Sequence, residues 1–224
     1  SAEPIAVLPV CATPNDSLWS VSWWYEQASG HHVHAAEAWD VTKGDTAVVV
    51  AILDTGVIPY HPDLGGTVAG LPGQIWTNRA EQAGVAGVDD DGNGYVDDVR
   101  GWSFPDDSAS PADFPHGRGT MMAGIAAAHS NNDEGVAGVS WGARIMPLRT
   151  MVLRHYEQSD RFEGRVADQV EAVCYAANNG AQVILIGGWL YDPANVAGDV
   201  ERLRLAVEYA HSRGAVVVAP AGDC

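Results

Sequence analysis

The stretch TAVVVAIL, residues 46–53, contains the longest uninterrupted apolar run of the chain, at residues 47–53. A strand with one face in water alternates apolar and polar residues, whereas a strand covered on both faces reads as a continuous apolar and β-branched run. We therefore predict that residues 46–53 form a central strand of a parallel sheet. Asp54 follows directly, and ligands and catalytic groups gather at the carboxyl ends of parallel strands.

Strand and helix patterns alternate from this strand to the end of the chain. We predict helices around 119–129, 165–179 and 200–210, and strands at 144–148, 183–186 and 215–219. This alternation predicts an α/β fold with an open, mostly parallel sheet, helices on both faces and right-handed crossovers. Residues 46–224 would form one domain. Residues 1–45, which carry three prolines and a tryptophan cluster, would form an irregular segment packed on it.

The composition excludes several classes of protein. The chain has 224 residues, with 12 Lys+Arg against 29 Asp+Glu and a formal net charge of −17. That length suits one domain, and 46% hydrophobic against 18% charged residues excludes a disordered chain. The acidic balance excludes nucleic acid and an anionic membrane surface as partners, because both are bound through clustered Lys and Arg. No apolar run approaches the ~20 residues of a membrane-spanning helix.

The cysteines and the first residue bear on the cellular compartment. Cys11, Cys174 and Cys224 are too few for a disulfide scaffold of this size, and one bridge with one thiol or three free thiols would account for them. The sequence opens at Ser1 without Met or a hydrophobic targeting segment. A processed secreted protein would read this way, as would a trimmed chain. We expect a secreted, extracellular protein.

Four motifs follow one another in a fixed order: LDTG with HPDL at 53–64, GRGTMMAG at 117–124, NNDEGVAGV at 131–139 and VVVAPAGD at 216–223. They resemble the aspartate segment, histidine helix, calcium loop and oxyanion strand of the subtilisin-like serine peptidases (subtilases, S8). The resemblance runs from about Asn15 to the last residue. It implies a subtilisin-like fold, serine endopeptidase ancestry and Asp54 as the triad aspartate. It also implies a domain that stops before the nucleophile helix.

The sequence departs from the family at the catalytic histidine. The agreements in GRGTMMAG put Arg118 at that position. The family's chemistry needs a neutral imidazole to take the serine proton, and a guanidinium has no acceptor. His116 is the alternative base, although using it would shift the register and lose most agreements. We predict that Arg118 instead forms an ion pair with Asp54, since a buried carboxylate needs a partner.

Two further departures concern the oxyanion and the nucleophile. Asp223 stands where the family has an asparagine whose amide stabilises the developing negative charge. The nucleophile Ser is absent, because no serine lies in the family's Gly-Thr-Ser context beyond the oxyanion strand. By resemblance, Gly187, Gly188 and Trp189 would line the substrate, and Trp189 would fill the primary pocket or serve only in packing.

Two calcium sites are indicated. The segment DDDGNGYVDD, residues 89–98, has oxygen ligands at alternate positions and Gly at the sixth, which suits a cation that takes six to eight oxygens. We predict ligands among Asp89, Asp91, Asn93 and Asp97, with a solvated turn as the alternative. The resemblance implies a second site, to which Asp63 and Asn132 contribute side chains.

Three functions remain open for this chain. The substitutions favour a secreted, catalytically inactive peptidase homologue that binds or regulates a peptide or protein ligand. The second is part of an active, calcium-stabilised endopeptidase whose serine lies on a missing or separate chain. The third is a calcium-stiffened structural module without a peptide site. We also expect a second polypeptide to complete the domain next to strand 215–219.

Overall fold

A computed structural model describes residues 12–25, 30–65, 73–113, 117–155, 160–188 and 196–221. Trp189 and Asp223, which the sequence indicates as site residues, lie outside the described residues. The alternative base His116 and the cysteines Cys11 and Cys224 lie outside them too.

A five-stranded parallel sheet forms the centre of the fold. Its strands are β1 (Val49–Asp54), β2 (Trp102–Ser103), β3 (Arg144–Arg149), β6 (Val183–Ile186) and β7 (Val216–Val218). Their spatial order is β2-β3-β1-β6-β7, and each neighbouring pair is parallel. A separate antiparallel pair consists of β4 (Val152–His155) and β5 (Asp160–Glu163). The α/β fold with a mostly parallel sheet is thus confirmed, and β1 is its central strand.

Strand β1 is buried on both faces, as its continuous apolar run predicts. Val49, Ala51 and Leu53 belong to the core on one side of the sheet, whereas Ile52 belongs to the core on the other. The strand begins at Val49 rather than at Thr46, because the residues at 46 and 47 are exposed and stand before the sheet. This double burial holds the last residue of β1 in a rigid position.

Helices cover both faces of the sheet. Helices α5 (Val166–Asn178) and α6 (Val196–Ser212) pack on one face, largely through alanines. Helix α4 (Arg118–Ala127) packs on the other face through Ala123 and Ala127. No helix in the described part of the chain combines the length and the apolar character needed to cross a bilayer.

The N-terminal segment is more ordered than its prolines predict. Its described part contains a 3₁₀ turn (Trp19–Val21) and helix α1 (Ala35–Trp39). The Tyr25 hydroxyl donates to the carbonyl of Ala137 at 2.7 Å, and the Trp39 indole donates to the carbonyl of Val139 at 2.9 Å. Aromatic packing on the loop after α4 therefore orders a segment that has no periodic pattern of its own.

Two short helices, α2 (Pro62–Gly65) and α3 (Arg79–Ala83), lie in the long excursion between β1 and α4. Strand β2 also belongs to this excursion and pairs with β3. At the opposite edge of the sheet, β7 pairs with β6 alone among the described strands. Two of its side chains are strongly exposed, Val216 at 59% and Val218 at 44%.

Candidate functional site

Asp54 and Arg118 meet where the central strand and helix α4 converge. Asp54 is the last residue of β1 and Arg118 the first residue of α4. Arg118 Nη1 lies 2.7 Å from Asp54 Oδ2, so the predicted ion pair is present. The Asp54 side chain is completely buried, whereas the Arg118 side chain is 32% exposed. The aspartate thus lies at the bottom of the site, and only the arginine is accessible to solvent.

Glycines allow α4 to approach the end of β1 this closely. A Cβ atom on Gly119 would stand 2.0 Å from the carbonyl oxygen of Gly56, and Gly56 itself has a φ of +106°. The Gly119 amide donates to Thr55 Oγ1 at 3.0 Å, and the Ile58 amide donates to Thr120 Oγ1 at 3.0 Å. These bonds join the helix to the loop after β1 and place position 118 beside Asp54.

The guanidinium of Arg118 has a second anchor on the neighbouring strand. Its Nη2 donates to the carbonyl of Gly187, directly after β6, and its Nη1 lies 3.6 Å from Met151 Sδ. A Cβ on Gly187 would stand 2.0 Å from Asp54 Oδ2, and one on Gly188 would stand 1.9 Å from Met151 Sδ. Glycine at 187 thus lets the backbone pass the ion pair, and glycine at 188 lets it pass the Met151 side chain.

Burial dominates the electrostatics of Asp54. Removal from water raises the pKa of Asp54, while the Thr55 amide at 2.7 Å from Oδ1 and the Arg118 guanidinium act in the opposite direction. Arginine carries only donors and stays protonated in proteins, so the guanidinium holds a positive charge and cannot take up a proton. At the position where a catalytic triad needs a base beside its carboxylate, this site has the permanently charged guanidinium of Arg118.

A second cluster joins the N-terminal segment to the loop after α4. Asn132 Nδ2 lies 3.1 Å from Asp63 Oδ1, so the structure brings together the two residues that the resemblance implied. The Val136 amide donates to Asp63 Oδ2 at 2.9 Å, and the Asn131 amide donates to Asp16 Oδ2 at 2.7 Å. Asp16, which the sequence analysis missed, thus contributes to the same loop. Only the packing of the N-terminal segment identifies it.

Two carboxylates of this cluster are buried at a high electrostatic cost. Asp16 is 4% and Asp63 3% exposed. Burial raises the pKa of both, and the two charges also repel each other. Asp16 Oδ1 is buried without a hydrogen-bond partner in the described structure, and a Cβ on Gly135 would stand 2.0 Å from Asp63 Oδ2. An unpartnered carboxylate oxygen beside a second buried carboxylate suits a hard cation.

A third cluster lies in the aspartate-rich loop. Glu81, Asp89 and Asp91 place one carboxylate oxygen each within 4.8 Å of one another. Glu81 comes from helix α3 and is buried, and its Oε1 accepts the Asp90 amide at 2.7 Å. Glu81 lies eight residues before the spaced aspartates, so the spacing in the sequence does not indicate it.

The other two predicted ligands of this loop make hydrogen bonds within it. Asn93 Nδ2 donates to Asp98 Oδ2 at 2.9 Å, and Asn93 Oδ1 accepts the Tyr95 amide at 2.7 Å. Asp97 Oδ2 accepts the Gly87 amide at 2.8 Å. The three-carboxylate group among the described residues therefore contains Glu81 but not Asp97.

Comparison with known proteins identifies related peptidases. The chain is 32% identical over 223 residues to the thermophilic serine proteinase of Bacillus sp. strain AK1, across 99% of this chain and 43% of that protein. It is 32% identical over 213 residues to thermitase of Thermoactinomyces vulgaris, across 94% and 58%. An extracellular protease of Xanthomonas campestris pv. campestris is 29% identical across 100% of this chain and 37% of that protein. The chain thus spans about half the length of these relatives.

Solved structures share the fold. A lanthipeptide protease superposes with a TM-score of 0.60 at 20% identity, across 95% of this chain and 50% of that one. The epidermin leader peptide processing protease EpiP of Staphylococcus aureus gives 0.56 at 23% identity, across 94% and 44%. The model of the subtilase family matches residues 45–224. Because this match covers well over half of the chain, the protein belongs to the subtilase family.

Proposed function

We propose that this chain is a catalytically inactive peptidase homologue that binds a peptide or protein ligand. One observation carries the proposal: Arg118, which stands at the family's histidine position, is held between Asp54 and the carbonyl of Gly187. A group that must shuttle a proton has to accept one, and the guanidinium cannot. Asp223 at the oxyanion position adds a negative charge where the reaction would develop another.

The backbone beside the ion pair supports peptide binding. The Gly187 amide donates to the carbonyl of Leu53 and the Gly187 carbonyl accepts from Arg118, so this residue is fully engaged. The backbone groups of Gly188 have no hydrogen-bond partner among the residues that the structure describes. An extended peptide can pair with such groups by adding a strand, without any catalytic group, once the buried Gly188 is uncovered.

A labelling experiment separates this proposal from a working peptidase. We expect no labelling by a fluorophosphonate probe, which reacts with activated serines, and no cleavage of casein. The matched control is a protein extended beyond residue 224 that carries Arg118→His and Asp223→Asn. Labelling of a protein that keeps Arg118 and Asp223 would overturn the proposal and favour an active peptidase.

A binding experiment separates it from a structural module. We expect fluorescently labelled peptides from a casein digest to bind, as measured by fluorescence anisotropy, and Gly188→Val to abolish this binding. The side chain of valine at position 188 would collide with Met151, as a Cβ there would stand 1.9 Å from Met151 Sδ. Gly124→Ala is the control, because a Cβ there would meet only the Val136 side chain at 3.8 Å. Absence of binding would favour the structural module.

We also propose that both acidic clusters bind calcium. Asp16, Asp63 and Asn132 would hold one ion, and Glu81, Asp89 and Asp91 another. All six offer carboxylate or amide oxygens, which Ca²⁺ prefers. A bound ion would neutralise buried carboxylates and fasten two long loops to the core. Neither ion would take part in proton transfer.

We propose that the protein acts outside the cell and that a second polypeptide segment covers β7. The name of the Xanthomonas relative, an extracellular protease, supports the first proposal. The exposed Val216 and Val218 on an edge strand support the second, because such edges pair with other chains. Sedimentation of this chain is expected to show self-association that Val218→Lys reduces. A monomer that melts cooperatively would contradict the covering segment.

A further inference from the structure

A cavity of about 660 Å³ lies beside the start of β1, away from the ion pair, and its lining residues Arg79 and Gln82 flank Glu81 on α3. Its lining includes Arg79, Arg100 and Arg144, together with Trp76, Thr77 and Gln82. Thr46 and Val49, at the start of β1, also contact it. Asp54 is at the other end of this strand, about 17 Å away at ~3.3 Å per residue. The cavity is therefore separate from the site discussed above.

The charge of this cavity contrasts with that of the whole chain. The protein has 29 Asp+Glu and only 12 Lys+Arg. Three of these twelve line one cavity, and no acidic residue lines it within the described part of the chain. A random surface patch of so acidic a protein would contain more carboxylates than guanidinium groups. The cavity therefore concentrates positive charge in a protein that is otherwise strongly negative.

The three guanidinium groups also lack the partners that other arginines have. Among the residues that the structure describes, five arginines form ion pairs with carboxylates: Arg118, Arg149, Arg165, Arg202 and Arg204.

Within the described structure, none of the three cavity arginines does so. Arg144 Nη1 donates to the carbonyl of Gly73, and the Arg100 guanidinium lies over the ring of Tyr60 at 5.4 Å from its centroid. These contacts hold the two side chains in place without neutralising them. Most of their N–H donors thus remain available to a ligand in the cavity.

We propose that this cavity binds a small anion that carries two or more negative charges on phosphate or carboxylate groups. Guanidinium groups bind both oxyanions through paired N–H donors, and such charge-assisted bonds are about twice as strong as neutral ones. The volume lies within the range of small-molecule sites, and Thr77 and Gln82 add neutral hydrogen-bonding groups. The proposal does not depend on whether the chain binds peptides or cleaves them.

Calorimetric titration of the calcium-loaded chain at low salt tests the proposal. Glycerol 3-phosphate is the phosphate probe, succinate the carboxylate probe and glycerol the neutral control. Neither anion is a strong calcium chelator. We expect at least one anion to bind with a dissociation constant below about 1 mM, and glycerol not to bind. The anion that binds more tightly identifies the ligand group.

Matched variants assign any binding to the cavity. Arg79→Gln and Arg100→Gln are each expected to weaken it about tenfold, because each removes a charge-assisted hydrogen bond. Arg202→Gln, which removes an exposed arginine paired with Asp199, is expected to leave it unchanged. Melting curves check that the variants fold. Absence of binding by both anions, or equal binding by all variants, would overturn the proposal.

Discussion

Replacing Arg118 by methionine tests how the ion pair beneath the candidate site is maintained. Asp54 is completely buried, and its Oδ2 accepts a 2.7 Å bond from Arg118 Nη1. Removing the arginine leaves this oxygen and the carbonyl of Gly187 without their donor. Removing one partner of a buried pair costs about 3–5 kcal/mol. We expect about 3 kcal/mol, because the 32% exposure of the Arg118 side chain lets water replace part of the lost interaction.

Urea unfolding and thermal melting measure this loss. For a chain of this length, about 3 kcal/mol corresponds to a fall in melting temperature of about 6–12 °C. The double variant Asp54→Asn/Arg118→Met should recover most of the lost stability, because replacing both partners removes the unpaired charge. The control is Arg202→Met. In its pair with Asp199, the Arg202 side chain is 65% exposed and lies 3.7 Å from the carboxylate, so its loss should cost at most about 1 kcal/mol.

The double-mutant cycle gives the outcome that would refute this reasoning. We expect a coupling free energy of about 2 kcal/mol between positions 54 and 118, within the range for residues in contact. If Arg118→Met costs no more than Arg202→Met, or if the coupling is near zero, Asp54 does not depend on this arginine. Asp54 would then be protonated, in keeping with the raised pKa that its burial produces.

Three further predictions address the metal clusters, the core and the thiol. Chelation should lower the melting temperature by about 5–10 °C when calcium was present at about 100 times its dissociation constant. The fall should be smaller in Asp63→Asn. An equal fall in the unmodified protein and in this variant would contradict the site at Asp63. Tyr175→Phe should lower the free energy of unfolding in urea by about 1.5–3 kcal/mol, because the Tyr175 hydroxyl donates to the buried Asp98 carboxylate at 2.5 Å. The control is Tyr209→Phe at an exposed position, and an equal loss in both variants would refute the prediction. Burial raises the pKa of the Cys174 thiol, so less thiolate is present at neutral pH. Alkylation should therefore be slower than for free cysteine, and its rate should keep rising to a higher pH. Mass spectrometry of the Cys174 peptide measures the rate, and a pH profile equal to that of free cysteine would contradict the prediction.

The sequence by itself determined the family and the central elements of the fold. Strand 183–186 is observed as predicted, and the strand predicted at 144–148 extends by one residue. The helix predicted at 165–179 is observed at Val166–Asn178. These segments have long apolar patterns with a clear period, so local sequence suffices. The ion pair was predictable too, because a buried carboxylate requires a partner. Position 118 has an arginine where the family has its histidine, and this arginine supplies the positive charge.

Only the tertiary structure decided which distant residues share a site. Asp16 approaches the loop of Asp63 and Asn132 because aromatic packing fastens the N-terminal segment there. Glu81 joins Asp89 and Asp91 because α3 turns back over the loop. Neither β4 nor β5 has an apolar period, and pairing with each other makes them strands.

Strand order and packing also decide the contact between Arg118 and the carbonyl of Gly187, and the formation of the arginine-lined cavity. Gly187 reaches Arg118 only because β6 lies beside β1 in the sheet, although more than 120 residues separate the two strands in sequence. The arginines at 79, 100 and 144 come from three separate segments that converge beside the start of β1. Periodicity reports which face of an element is buried. The meeting of side chains from distant segments depends instead on strand order and packing, which no local pattern encodes.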